Sequence, residues 1–419
     1  MTGRRIAVVG GGISGLTAAY ILARTHEVTV FEAADRLGGH ADTHLVSGPG
    51  GPVPVDTGFI VYNEPTYPLL TRLLRELGVA TRASDMSMSV SCAGCGVRYA
   101  GKRGPAGLGA GVPGGGTRYL RMLAEVPRFH RAARRLLASG EGDDLPLGEF
   151  LLAGRFSAYF AAHFAAPLVA AVWSCPPGAA LRYPARYLFA FLANHGMLSV
   201  SGSPQWRTVT GGSRRYVERI AAGLAKVRLG SPVRSVRRYP DGAEVRDASG
   251  AVFSFDAAVI ATHPDQALRL LDPATAAERS VLGAFRYIPN EAVLHSDVRL
   301  LPPTAVSASW NYFLDCQADG TGPGRTRISY HLNRLQGLPR DRDYIVTLGG
   351  RRDVDPAHVI AVMDYAHPAY TRESVAAQRR LPDLNTAATA FAGAYHGWGF
   401  HEDGCRSGAA AAQALGGTW

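Results

Sequence analysis

Short runs of consecutive apolar residues, ended by glycine, proline or a carboxylate, alternate along this chain with longer stretches of helical period. Residues 6–9 read as a buried parallel strand, and an Ala/Leu-rich helix opens at about Gly15. A second strand, 27–32, ends on Glu32. A strand-like stretch follows at 56–62, then a helix at 67–77 closed by Gly78. Alternation predicts strands at 87–91 and 97–100, joined by a glycine-rich turn. Helical spacing returns at 117–139, 147–172, 185–193 and 215–224. Short strands are expected at 227–236 and 243–255, and a buried one begins at Ala257 and stops at Pro264. Further strands fall at 291–295, 307–314 and 327–332, while 367–370 reads as a loop. The chain closes with a strand at 389–395, a loop, and a small-residue helix at 406–415.

The first strand breaks into Gly10-x-Gly12-x-x-Gly15. Gly10 permits the turn and Gly12 lets a pyrophosphate approach the backbone. Gly15 lets the helix pack on the strand, so that the N–H groups near Ile13 and Ser14 face the phosphates. Glu32, 22 residues after Gly10, sits where ribose hydroxyls need an acceptor. The pattern predicts a dinucleotide site.

Arg36-Leu37-Gly38-Gly39-His40 follows Glu32 and Ala33 at once. With the closing strand, Ala392-Gly393, the loop to Phe400-His401, and a helix carrying Ser407-Gly408, the chain resembles the FAD-dependent amine oxidase, phytoene desaturase and protoporphyrinogen oxidase superfamily. His40 stands where that superfamily usually has arginine. The resemblance implies an α/β fold with a discontinuous Rossmann-like FAD-binding domain and a mixed α+β substrate domain, amine-oxidase-like in arrangement. The expected pieces are 1–80, 206–272 and 385–419 for FAD, and 81–205 and 273–384 for substrate. It also implies non-covalent FAD, with Arg36, Gly38, Gly39 and His40 near the pyrophosphate. Thr57, Gly58 and Phe59 would pass beside the flavin, Val233 would meet adenine, and Ala261 and Gly393 would lie near the dinucleotide. His401 would stand against the isoalloxazine, where either its ring or the helix backbone stabilises the anion of the reduced cofactor.

Asp56-Thr57-Gly58-Phe59, Trp173-Ser174-Cys175-Pro176, Pro204-Gln205-Trp206-Arg207 and Phe400-His401-Glu402-Asp403-Gly404 are similar to bacterial NAD/FAD-binding amine-oxidoreductase-like proteins. Those are often encoded beside cyclopropane-fatty-acyl-phospholipid synthase-like methyltransferases. This kinship implies an acyl-lipid or other apolar small-molecule substrate. The expected reaction removes hydride from carbon and forms a C=C bond. Amine oxidation, double-bond isomerisation and a non-catalytic role beside a lipid methyltransferase are the alternatives. His195, His331, His396 and His401 are the candidate bases.

A glycine-rich stretch at 101–116 contains a second literal G-x-G-x-x-G but follows no strand, so it reads as a flexible connection and not as an NAD(P)H site. The substrate itself is then expected to reduce the flavin. The apolar segments 147–172 and 185–193, with Phe150, Phe156, Tyr159, Phe160 and Phe164, together suggest the walls of a greasy cavity, although any one of these aromatics reads first as core packing.

Composition adds a few exclusions. The 419 residues are 47% hydrophobic and 19% charged, with a net charge of +10. No nucleic-acid-binding signature accompanies that charge, so nucleic acid is not an expected partner. The arginine-studded helix at 117–139 reads either as a face for an anionic membrane or as an ordinary solvated surface. No apolar run reaches membrane-spanning length, and the nucleotide strand starts the chain, so a cytoplasmic protein, peripheral at most to the inner membrane face, is expected. Five cysteines make no disulfide framework. Cys92-Ala93-Gly94-Cys95 lacks a second such pair and a histidine at zinc spacing, so it reads as a hairpin turn with two incidental thiols, and no metal is expected.

Overall fold

A computed structural model describes residues 3–101, 104–140, 144–173, 175, 177–199, 202–316 and 325–419. Ser174 and Pro176 of the tryptophan motif, and residues 102 and 103 of the glycine-rich stretch, lie outside the described residues.

Five parallel strands form the first sheet, in the order Lys226–Arg228, Glu27–Phe31, Arg5–Val9, Ala257–Ile260, Thr389–Phe391. The apolar runs at its centre are buried on both faces, as covered parallel strands require. The strands come from the beginning, middle and end of the chain. Helix Ile13–Leu22 packs against the last helix, His401–Ala414, where a Cβ on Gly408 would fall 2.3 Å from the Ser14 carbonyl oxygen. That close approach brings the two chain ends to one cavity.

A seven-stranded sheet runs Val359–Ala369, Arg286–His295, Ile345–Leu348, Thr326–His331, Trp310–Leu314, Met88–Cys92, Arg98–Ala100. Its neighbours are antiparallel, except that Trp310–Leu314 and Met88–Cys92 run parallel. Helices Val112–Ala138, Leu147–Ala153, Ala166–Trp173 and Ala185–Asn194 share a hydrophobic core with this sheet.

Several local expectations give way to tertiary contacts. The glycine-rich stretch is not a flexible connection: Gly104–Gly109 is helical, and the next helix begins at Val112. Gly114 packs so tightly on the hairpin that a Cβ would lie 2.2 Å from the Gly96 oxygen. Residues 367–369 lie within strand Val359–Ala369, because a long ladder with Arg286–His295 outweighs the local proline signal; Pro368 is tolerated on this edge strand. The stretch 227–236 divides at Pro232 into Lys226–Arg228 and Val233–Tyr239, which join different sheets. Residues 57–61 are irregular between Gly51–Asp56 and Tyr62–Asn63. The last helix starts at His401 and not Arg406, since Asp403 accepts the Phe400 N–H at 3.0 Å and closes a cap there.

Side chains separate core from wall and revise the cysteine reading. Phe150, Phe156, Phe160 and Phe164 ring Phe129 at centroid distances of 5.5–6.4 Å as core and stay off the lining of the cavity described below. Cys92 and Cys95 are not an isolated pair. The fold brings His163 and Cys316 to them, with all four ligand atoms within 4.8 Å of one another.

Candidate active site

A cavity of about 810 Å³ runs from the C-terminal edge of the parallel sheet to the seven-stranded sheet. At its nucleotide end the chain turns at Gly10, where φ is +107° and a Cβ would lie 2.7 Å from the Ala261 oxygen. Only glycine fits such a position. Gly12 faces open space, with nothing within 4 Å of where its Cβ would be. It is the N-cap of helix Ile13–Leu22, which has no side-chain cap, so the helix offers its first N–H groups to a ligand. Gly38 N–H donates to the Gly11 oxygen at 2.8 Å, laying the Gly38-Gly39 turn beside the first. Glu32 accepts the Gly11 N–H at 2.7 Å and the Ala34 N–H at 2.9 Å, which fixes its carboxylate on the cavity wall.

Ile13, Ser14, Ala33, Gly39 and Val233 also line this end, joined by Ser231 and Pro232, which the sequence did not single out. Gly15 keeps the packing role expected of it without lining the cavity, its Cβ position being 2.0 Å from the Gly10 oxygen. One expected contact, Arg36, is corrected: it is off the lining, turned onto Asp42 at 2.8 Å and onto the Gly39 and Ala41 carbonyls, so it braces the loop.

Thr57, Gly58, Phe59, Ala261, Gly393 and Phe400 surround the middle of the cavity. Gly58 is needed because a side chain would strike the His40 backbone at 2.3 Å. His40 stacks on Tyr365 at 5.0 Å and lies 5.3 Å from the His367 ring and 6.4 Å from His263. Its Nε2 is buried without a partner. Burial pushes His40 and His263 below the usual histidine value, and His367 down to about 4, so the cluster is neutral near pH 7. His263 and His367 arrive from a strand end and an edge strand; no local signal tied them to His40.

The four candidate bases separate. His401 lines the cavity, stacked on Phe59 at 3.6 Å and hydrogen-bonded through Nε2 to the Tyr216 hydroxyl at 3.2 Å. Burial pushes it down to about 3, so it is a neutral ring and supplies no positive charge. His195 lies off the lining, with Nδ1 on the Phe191 carbonyl at 2.9 Å. His331 pairs with Asp343 at 2.8 Å, and His396 is also off the lining.

The far half of the cavity is apolar. Leu168, Ala171, Val172 and Trp173 come from one helix, Phe191 from another, and Met88, Trp310, Tyr330 and Leu348 from the seven-stranded sheet. Trp173 Nε1 donates to the Trp398 carbonyl at 3.0 Å, and the residue, though largely buried, contributes to the cavity lining. Among the described lining residues Glu32 is the one carboxylate, and it belongs to the nucleotide end.

The uncapped helix N-terminus, the open cradle at Gly12 and the orphaned His40 nitrogen together fit an elongated phosphate-bearing dinucleotide. Fold and site therefore define a dinucleotide-binding protein whose cavity, lined from Glu32 to His401, fits a cofactor of the FAD kind. The profile described as "Flavin containing amine oxidoreductase" matches residues 13–296, and the chain belongs to that family. A Mycobacterium tuberculosis protein named as a candidate flavin-containing monoamine oxidase is 31% identical over 258 residues, covering 58% of this chain. The chain spans about half of that relative, 54% of its length. Cyclohexylamine oxidase from Brevibacterium oxydans shares the fold with a TM-score of 0.69 at 19% identity, covering 99% of this chain and 98% of its own. The CLA-producing fatty acid isomerase from P. acnes does so at 0.65 and 15%, covering 97% of each.

Proposed function

We propose that this protein is an FAD-dependent oxidoreductase that takes hydride from a carbon of an apolar, fatty-acyl-like substrate and leaves a C=C bond. The observation that carries this reading is the far half of the cavity, walled by Met, Leu, Trp and Phe side chains with no carboxylate to receive an ammonium group. Bound FAD supplies the hydride acceptor. The chain's own residues hold FAD non-covalently at the paired glycine turns and orient the substrate between the helix Ala166–Trp173 and the seven-stranded sheet. Water is excluded by the apolar wall. The proton lost from the neighbouring carbon needs a neutral base, and the uncharged imidazoles of His401 and His367 line the same cavity. In this reading 1–80, 206–272 and 385–419 serve FAD, and 81–205 and 273–384 serve the substrate. The family's name supports amine oxidation as a second reading, for an amine that enters uncharged.

Organic extraction of the purified protein followed by mass spectrometry tests the substrate class. An acyl lipid or comparable apolar molecule is expected in the extract. An amine in its place would contradict the reading.

Peripheral contact with an anionic membrane is part of the same proposal. Helix Val112–Ala138 exposes Leu120, Arg121, Arg131 and Arg135; Arg121 pairs with Glu125 at 3.7 Å, and the less exposed Arg128 pairs with it at 3.2 Å and lies over the Phe156 ring. Among the described residues no helix is long and apolar enough to cross a membrane. Sedimentation with anionic vesicles is expected to fall as salt rises, since exposed charges are screened beyond about 8–10 Å at 0.1–0.15 M salt. Replacing Arg121, Arg131 and Arg135 by Gln should weaken it. Equal sedimentation with neutral and anionic vesicles would remove this contact.

A further inference from the structure

Far from the glycine turns, three separate pieces of chain place three thiols and an imidazole together. Cys92 ends strand Met88–Cys92, and Cys95 follows in the turn before Arg98–Ala100. Cys316 lies two residues past strand Trp310–Leu314, and His163 sits in the π-helical turn Ala161–Ala165. Cys92 Sγ is 3.2 Å from Cys316 Sγ, and Cys95 Sγ is 3.4 Å from His163 Nε2. Cys92, Cys316 and His163 are buried.

We propose that Cys92, Cys95, Cys316 and His163 form a structural zinc site that clamps two strands of the seven-stranded sheet to the wall helix of the cavity. Soft thiolates with one imidazole favour zinc over calcium or magnesium. Four protein ligands complete a tetrahedron and leave no open position, so the site is structural and not catalytic. Zinc–sulfur bonds of about 2.3 Å set the sulfurs of a tetrahedron about 3.8 Å apart, so the present cluster needs only a small opening to admit the ion.

The surroundings supply what such a site needs. His163 Nδ1 lies 3.1 Å from the Tyr159 carbonyl oxygen, which selects the tautomer with a proton on Nδ1 and leaves the Nε2 lone pair for the metal. The Tyr159 hydroxyl, 3.5 Å from Cys95 Sγ, can donate to that thiolate, and its ring stacks on His163 at 4.0 Å. Gly94 makes the knuckle possible, because a Cβ there would lie 1.9 Å from the Cys316 carbonyl oxygen. Gly96, at φ +75°, reverses the chain, and its N–H donates to the Cys92 carbonyl at 3.1 Å.

Position gives the site its purpose. Met88 lines the cavity at one end of its strand and Cys92 binds at the other; Trp310 and Cys316 repeat the arrangement on the neighbouring strand. His163 lies in the π-helical turn that runs directly into the helix contributing Leu168 and Trp173 to the wall. One ion therefore ties the sheet to the wall helix, without touching the FAD residues. The inference does not depend on the substrate.

Elemental analysis of the full-length flavoprotein, purified without chelators, tests it. About one zinc per chain is expected. His163→Ala and Cys95→Ser should each lower zinc about tenfold or more while flavin absorbance persists, and Cys175→Ser, outside the cluster, should retain it. Should those variants fail to fold, cobalt exchanged into the wild-type protein is expected to give tetrahedral thiolate bands at wavelengths beyond the flavin's absorption. Wild-type protein with no metal, with iron, or with a Cys92–Cys316 disulfide in place of free thiols would overturn the proposal. So would zinc retained undiminished in folded His163→Ala and Cys95→Ser.

Discussion

Lowering the pH from 7.5 to 5 is expected to cost the fold several kcal/mol, with most of the loss below pH 6.5. Burial holds His295, His367 and His396 down to about 4 and His401 down to about 3. The unfolded chain takes up a proton on each near 6.5. A depressed histidine therefore contributes stability that is complete above 6.5 and is lost as the pH falls through 6.5 towards the folded value. At pH 5 each fully buried histidine of this kind costs roughly 2 kcal/mol. His295 and His401 are fully buried; His367 and His396 are partly exposed and count for less. His295 shows why it stays neutral, with Nε2 and the Thr347 hydroxyl 2.7 Å apart and Nδ1 accepting the Asp297 N–H at 3.1 Å.

Buried carboxyls oppose them: burial raises Glu402 and Asp403 as well as Asp56. Burial pushes Asp56 up to about 6, so it favours the folded state as the pH falls, by about 1 kcal/mol at pH 5. The net loss is roughly 3–5 kcal/mol, a large part of the about 5–15 kcal/mol that stabilises a typical protein. Urea unfolding at a series of pH values checks this. A midpoint that holds steady or rises towards pH 5 would contradict it.

Replacing Glu32 by Ala is expected to weaken FAD binding by roughly 10- to 150-fold, the equivalent of about 1.5–3 kcal/mol for a hydrogen bond to a charged group. The carboxylate has two tasks. It fixes the two turns by accepting the Gly11 and Ala34 N–H groups, and it presents its remaining lone pairs to the cavity. Both are lost in the alanine variant. Titration of apoprotein with FAD, followed by flavin fluorescence, measures the change. Unaltered affinity would mean that Glu32 does not meet the cofactor.

The nucleotide end was legible because its signal is local. A strand, three spaced glycines, a helix and a strand-end carboxylate lie within the first 32 residues, and each has one physical reason to be there. The far half of the cavity was only partly legible. Trp173 and Phe191 do face it, but the phenylalanines around Phe129 have the same helical spacing and make core. Nothing in a single segment tells a ring on a cavity wall from one packed against a neighbouring helix. The metal-ligand cluster was hidden for a related reason. Cys92 and Cys95 gave half a motif, while His163 and Cys316 are 68 and 224 residues from their partners in the pairs they form. Likewise the neutral histidines around His40 meet only when strand Val359–Ala369 is in place.

Anaerobic mixing of the purified flavoprotein with candidate substrates, followed at the flavin absorbance, tests most directly whether the apolar cavity delivers hydride to FAD. Long-chain acyl substrates are predicted to bleach the bound flavin and to be recovered with an added double bond, while small primary amines leave it oxidised. Bleaching by amines with no response to acyl chains would contradict the account, and flavin that no compound of either class reduces would leave a binding protein in place of an enzyme.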